Sequence, residues 1–146
     1  MHTYGKIIVA LDLSPESEQL KDKACAIANA NDAELYLVHV IEPLSFAYGG
    51  DVPMDLSTIQ EQLDQHAKEK LISYGERLEY PVTDSFVITG HTETEVHRLA
   101  EKLSADLVIV GSHGRHGLAL LLGSTANGIL HGATCDVLAV RVVDQE

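Results

Sequence analysis

Asp106-Leu-Val-Ile-Val-Gly111 leads directly into Ser-His-Gly114-Arg-His-Gly117-Leu-Ala-Leu-Leu-Leu-Gly123-Ser124-Thr125. Between Asp106 and Gly111, residues 107–110 are a run of β-branched and leucine side chains with no polar alternation. A strand reads this way when both of its faces are buried, as in a parallel sheet covered by helices. The glycine-rich stretch then carries the chain to a helix start near Ser124. Two further runs repeat the pattern, Lys6-Ile-Ile-Val-Ala-Leu-Asp12 and Glu34-Leu-Tyr-Leu-Val-His-Val-Ile41. Ser85-Phe-Val-Ile-Thr89 is shorter, and Asp136-Val-Leu-Ala-Val-Arg-Val-Val143 is interrupted by Arg141.

Helical patterns fill the gaps. Ser14-Pro15-Glu16 opens the first, with Ser14 as N-cap and Pro15 at the first helical position. Leu20, Ala24, Ile27 and Ala28 follow at helical spacing, and the segment ends across residues 29–32. The second pattern runs from about Ser57 to Leu78. Thr92 is the expected N-cap of the third, with Glu95 placed for a capping box and Val96, Leu99, Ala100 and Leu103 as its apolar stripe. The fourth begins near Ser124 and carries Ala126, Ile129 and Leu130. Strands alternating with helices predict one doubly wound α/β domain over residues 1–146, a five-stranded parallel sheet with helices on both faces. Residues 43–55, with Gly49, Gly50 and Pro53, read as a long loop.

The chain has 146 residues, 10 Lys plus Arg and 22 Asp plus Glu, a formal charge of −12. That balance disfavours nucleic acid and anionic membrane surfaces as partners. A hydrophobic share of 45% excludes a disordered chain. No apolar run approaches the ~18 residues of a membrane helix, and Ile7–Leu11 is too short for a signal peptide, so a cytoplasmic protein is expected. Cys25 and Cys135 are read as buried, reduced thiols.

In doubly wound sheets, ligands bind beyond the carboxyl ends of the strands. This directs attention to Asp12, to Val40–Glu42, to Gly90 and His91, and to residues 111–125. Gly111, Gly114 and Gly117 allow backbone to approach a ligand. Gly123-Ser124-Thr125 stands at a helix start, where N–H groups and the helix dipole favour an anion. A phosphate held between the two ends of this segment follows, bound mainly by backbone amides, with Arg115, His113 and His116 as the nearby positive candidates. The segment has no lysine and so is not a Walker A loop. The first strand is followed by Asp12-Leu-Ser-Pro, which is not a dinucleotide fingerprint.

Plainer roles are available for several of these residues. Asp12 can cap the turn before the first helix. His39 reads as a satisfied core histidine, and His91 and His97 as surface residues at the rim. Ser124 has no base fixed beside it and is read as an N-cap and phosphate contact, not a nucleophile. His113 and His116 lack a companion Cys or carboxylate, so no metal site is assigned. No catalytic residue is assigned either.

Ile7-Ile-Val-Ala-Leu-Asp12-Leu-Ser-Pro-Glu-Ser17, Leu37-Val-His-Val-Ile41, Asp106-Leu-Val-Ile-Val-Gly-Ser-His-Gly114, Leu121-Leu-Gly-Ser124 and Cys135-Asp-Val-Leu-Ala-Val140 together resemble the universal stress protein family over essentially the whole chain. The resemblance implies a flavodoxin-like (adenine nucleotide alpha hydrolase-like) fold with strand order 3-2-1-4-5, usually dimeric. One branch of that family carries G-x2-G-x9-G-[ST] and binds adenine nucleotides. This chain carries Gly111-x2-Gly114-x8-Gly123-Ser124, one residue shorter. By the same resemblance, Ala10, Leu11 and Asp12 match first-strand nucleotide contacts, and Val40 matches the position that meets adenine through its backbone. Val110, Gly111 and Gly114 match ribose and phosphate contacts, and Gly123, Ser124 and Thr125 the phosphate-binding helix start.

The expected ligand is therefore ATP or AMP, with Mg²⁺ accompanying ATP. The expected role is a stress or signalling module that acts on a downstream protein partner. The alternative is a slow ATP-hydrolysing enzyme using the same site. The last strand, with apolar residues on both sides, predicts a C2 homodimer through residues 136–143.

Overall fold

The computed structural model describes residues 3–43, 56–113 and 124–143. Five strands form one sheet: β1 (Lys6–Ala10), β2 (Glu34–Ile41), β3 (Asp84–Thr89), β4 (Leu107–His113) and β5 (Asp136–Val142). Among the described residues, four α-helices connect them: α1 (Lys21–Asn31), α2 (Leu56–Glu76), α3 (Thr92–Leu103) and α4 (Ser124–Leu130). Every strand pairing is parallel, and the order is β3-β2-β1-β4-β5. The central strand is thus the first in the chain. Its Ile7, Ile8 and Val9 are completely buried, as an uninterrupted apolar run requires.

The sheet separates two cores. On one face Ile7, Val9, Leu35, Leu37 and Ile109 pack with Leu20, Ala24 and Ala28 at the start of the chain and with Leu71 and Tyr74 of α2. On the other, Ile8, Val38, Val108 and Val110 pack with Val96, Leu99 and Ala100 of α3 and with Ala126 and Ile129 of α4. His97 is not a rim residue: its Nε2 lies 2.7 Å from the Ile129 carbonyl and ties α3 to α4. α1 and α3 each end on a left-handed residue, Asp32 (φ 51°) and Ser104 (φ 56°), whose N–H groups return to carbonyls of the last turn. Among the described residues, no helix is long and apolar enough to cross a membrane.

Ser14 holds the N-cap position and Pro15 the first position, as the sequence reads, but the segment they open, Pro15–Leu20, is a 3₁₀ turn without a side-chain cap bond, and α1 starts only at Lys21. Asp12 holds the turn before it, its Oδ1 accepting from the Ser14 N–H (2.9 Å) and hydroxyl (2.7 Å). Thr92 is the first helical residue of α3, preceded by His91. Its N–H (3.3 Å) and hydroxyl (2.9 Å) both donate to Glu42 Oε2, and Glu95 pairs with Arg98 rather than closing a capping box. A carboxylate from the end of β2 is a stronger acceptor for a helix start than a threonine hydroxyl.

The amino ends of the strands are closed by polar bonds within the chain. Asp106 Oδ2 accepts from the N–H groups of Gly5 (2.8 Å) and Lys6 (3.0 Å). Asn31 Oδ1 accepts from those of Thr3 and Tyr4. Tyr4 donates its hydroxyl to Asp136 Oδ2 at 2.8 Å, and the Lys6 ammonium reaches the Leu103 carbonyl at 3.1 Å.

Candidate functional site

The carboxyl ends differ from the amino ends because the middle strand stops early. β1 ends at Ala10, whereas β2 runs to Ile41 and β4 to His113. Leu13 adopts a left-handed φ of 60° just beyond, and the chain leaves the sheet. The result is a notch over the end of β1, between β2 and β4, where the strand order changes direction. It encloses about 120 Å³, comparable with the ~150 Å³ cavities that admit one aromatic ring.

Ala10, Leu11, Asp12, Val40, Val110, Gly111 and Thr125, all singled out in the sequence, line this one space. β4 continues through His113, which the sequence reading placed beyond the strand. Ser124 opens α4, as expected. Gly114, Arg115 and Gly123, with the side chains of His113 and Ser124, lie outside the described residues. The sequence reading did not assign Glu16, Ser17, Leu20, Val38, His39, Thr92, Val96 and Val142 to the site, though they also line it. Thr92 and Val38 had a usable signal: one follows a strand end, and the other shares a strand side with Val40. Gly111 is a close approach, since a Cβ there would sit 3.1 Å from Val142 Cγ2.

Main-chain direction gives the notch its chemistry. Along a strand, successive residues aim their N–H and C=O to opposite neighbours. Glu34 donates to Gly5 (2.9 Å) and Leu11 donates to the Val38 carbonyl (2.9 Å), so even-numbered residues of β2 face β1. Ile41 faces the other way and accepts from Gly90 (2.9 Å). Val40 therefore faces β1, but the β1–β2 register ends at Ala10↔Val38. One residue of β2 thus directs a donor and an acceptor, side by side, toward the notch, beyond the last main-chain bond between the two strands, Leu11 N–H to the Val38 carbonyl.

Carboxylates mark the other walls. Asp12 and Glu16 line the notch near the end of β1. Glu42, at the β2 rim, has its carboxyl held below the usual range by the two Thr92 hydrogen bonds. Among the described residues, no group of three or more His, Cys, Asp or Glu is placed to hold a metal ion. His39 is half-buried, and its Nδ1 lies 2.7 Å from the Leu11 carbonyl, which agrees with its reading as a satisfied histidine.

A family model described as the universal stress protein family matches residues 3–141. Universal stress protein A homolog 1 of Coxiella burnetii is 45% identical over 141 residues, covering 96% of this chain and 97% of that protein. Among solved structures, the universal stress protein of Archaeoglobus fulgidus in complex with dAMP superposes with a TM-score of 0.65 at 22% identity, covering 94% of this chain and 98% of that one. A universal stress protein in complex with cAMP gives 0.63 at 23% identity, covering 95% and 98%.

Proposed function

The chain belongs to the universal stress protein family, and on that premise we propose that its notch binds an adenine nucleotide, AMP or ATP, and that the protein works as a cytoplasmic binding and signalling module. The observation that carries this reading is the open main-chain edge of Val40. Adenine presents an acceptor, N1, next to a donor, the N6 amino group, and a residue offering N–H beside C=O is the complement of that pair. The ligands of the two related structures, dAMP and cAMP, differ at the 2′-hydroxyl and in the phosphate ring but have adenine in common. A base-reading edge would select that shared part.

From Val40, the ribose and phosphates would cross the end of β1 toward Gly111 and Thr125, the far wall of the notch. His113, Gly114, Arg115, Gly123 and Ser124 are the remaining proposed phosphate contacts, assigned from the sequence. ATP would bring Mg²⁺, an ion that keeps several waters and takes one or two carboxylates besides phosphate oxygens. Asp12 and Glu16, the carboxylates lining the notch, fit that need and would hold it.

The signalling output would pass through a homodimer. β5 is an edge strand, and its odd-numbered residues face outward, away from β4. Gln19 already occupies Val143 at that edge: its Nε2 donates to the Val143 carbonyl (2.7 Å), and its Oε1 accepts from the Val143 N–H (3.0 Å). Pairing with a second copy would therefore use Val137, Ala139 and Arg141. Sedimentation showing a concentration-independent monomer would reject this interface. For the ligand, denaturing the purified protein and weighing the released nucleotide, followed by calorimetric titration with AMP and ATP, is the test. Saturable binding of at least one is expected; no binding of any adenine nucleotide would overturn the reading.

A further inference from the structure

Resting on the nucleotide reading above, we infer that His39 is a positioning residue that keeps the base-reading edge of Val40 open. In a continuing parallel ladder, Leu11 would donate to Val38 and then accept from Val40. The first bond is present at 2.9 Å. The second would extend the register to Leu11↔His39, yet the pairing stops at Ala10↔Val38. The Leu11 carbonyl is instead held by the imidazole of His39 at 2.7 Å. A carbonyl can only accept, so Nδ1 carries the proton and donates.

His39 and Val40 are chain neighbours whose main-chain groups face opposite sides of β2. The side chain of one thus takes the partner that the main chain of the other would otherwise claim. The ladder ends one bond early, and the donor thereby left out of it belongs to Val40, a residue that lines the notch. A backbone N–H left without a carbonyl is costly when buried and useful when a ligand acceptor replaces it. The imidazole also pins the last residue before the Asp12 turn, so the depth of the notch and the orientation of its base-reading edge are set together.

The test is amide hydrogen exchange by NMR on the nucleotide-free protein, with calorimetric titration of AMP. In the wild type, the Val40 amide should exchange at least about tenfold faster than that of Val38, which is laddered. His39→Phe, which keeps a ring and removes the donor, should return the Leu11 carbonyl to Val40. It should slow Val40 exchange and weaken AMP about tenfold. His39→Asn, whose amide nitrogen can take the place of Nδ1, should restore both. Equal protection of Val40 and Val38 in the wild type would overturn the inference, and that measurement needs no variant to fold. So would His39→Phe with unchanged Val40 exchange, or with altered exchange and unchanged AMP affinity. If the wild type binds no AMP while Val40 exchange responds to His39 as described, the nucleotide reading fails and the ladder-ending role of His39 stands.

Discussion

The two ends of the sheet use the same raw material in opposite ways. At the amino ends, carboxylate, carboxamide, phenol and ammonium groups return to the chain itself: Asp106 to Gly5 and Lys6, Asn31 to Thr3 and Tyr4, Tyr4 to Asp136, Lys6 to Leu103. At the carboxyl ends the middle strand stops short, and Val40 faces a space rather than a partner. One end spends its polar groups on stability; at the other a donor and an acceptor stay outside the ladder, where the proposed nucleotide would meet them. The contrast matches the general rule that open parallel sheets take ligands beyond the carboxyl ends of their strands.

Proline scanning should break the contrast most sharply. Val38 and Val40 are two residues apart on one strand and face the same neighbour, but only the first is laddered. Val38→Pro removes a ladder hydrogen bond and leaves its buried acceptor unpaired, which should cost about 1–3 kcal/mol by urea denaturation. Val40→Pro should cost well below that figure and yet weaken AMP about tenfold, because the lost N–H belongs to the ligand. Equal destabilisation by the two would mean that Val40 is laddered after all.

Asp106→Ala probes the closed end. It removes an acceptor from two main-chain donors and should lower stability by about 2 kcal/mol, with AMP affinity measured calorimetrically unchanged. Loss of affinity would show that the two ends are coupled. The smallest effect belongs to Glu42→Gln, at the exposed rim, at less than ~0.5 kcal/mol near neutral pH. Its carboxyl is lowered in the folded chain by the Thr92 bonds, so its contribution is complete above the ordinary glutamate pKa of ~4.3 and is lost as pH falls through the lowered value. Stability curves of wild type and Glu42→Gln should therefore converge in acid; a constant offset down to the lowest pH would deny Glu42 that role.

What the sequence made legible was whatever side chains encode. The continuous apolar runs at residues 7–11, 35–38 and 107–110 announced buried parallel strands, and glycine at 111 announced a close approach. The strand order came from the family resemblance. The boundaries were less visible. Lys6–Asp12 reads as one run, but Leu13 turns the chain and the strand ends at Ala10. Glu42 and Thr92 are 50 residues apart, so a cap built from them has no local signature. The edge of Val40 was the hardest to foresee, because it is a property of where a ladder stops and no side chain advertises it. The importance of the position came through the resemblance, while the direction of its N–H and C=O required the register. His39 is satisfied, as its place in a buried strand implies, yet its acceptor, the Leu11 carbonyl, has no signature in the spacing.

Strand order also dictates when the protein can finish folding. β1 is the first strand to be synthesised and the innermost in the sheet, and Ile7 pairs with Leu107, a hundred positions later. During translation its apolar edge must wait, exposed or borrowed by transient contacts, until the residues of β4 have left the ribosome. Such long-range pairing is slow and prone to aggregation. The central position that gives the finished sheet its notch therefore leaves the nascent chain dependent on late-arriving residues.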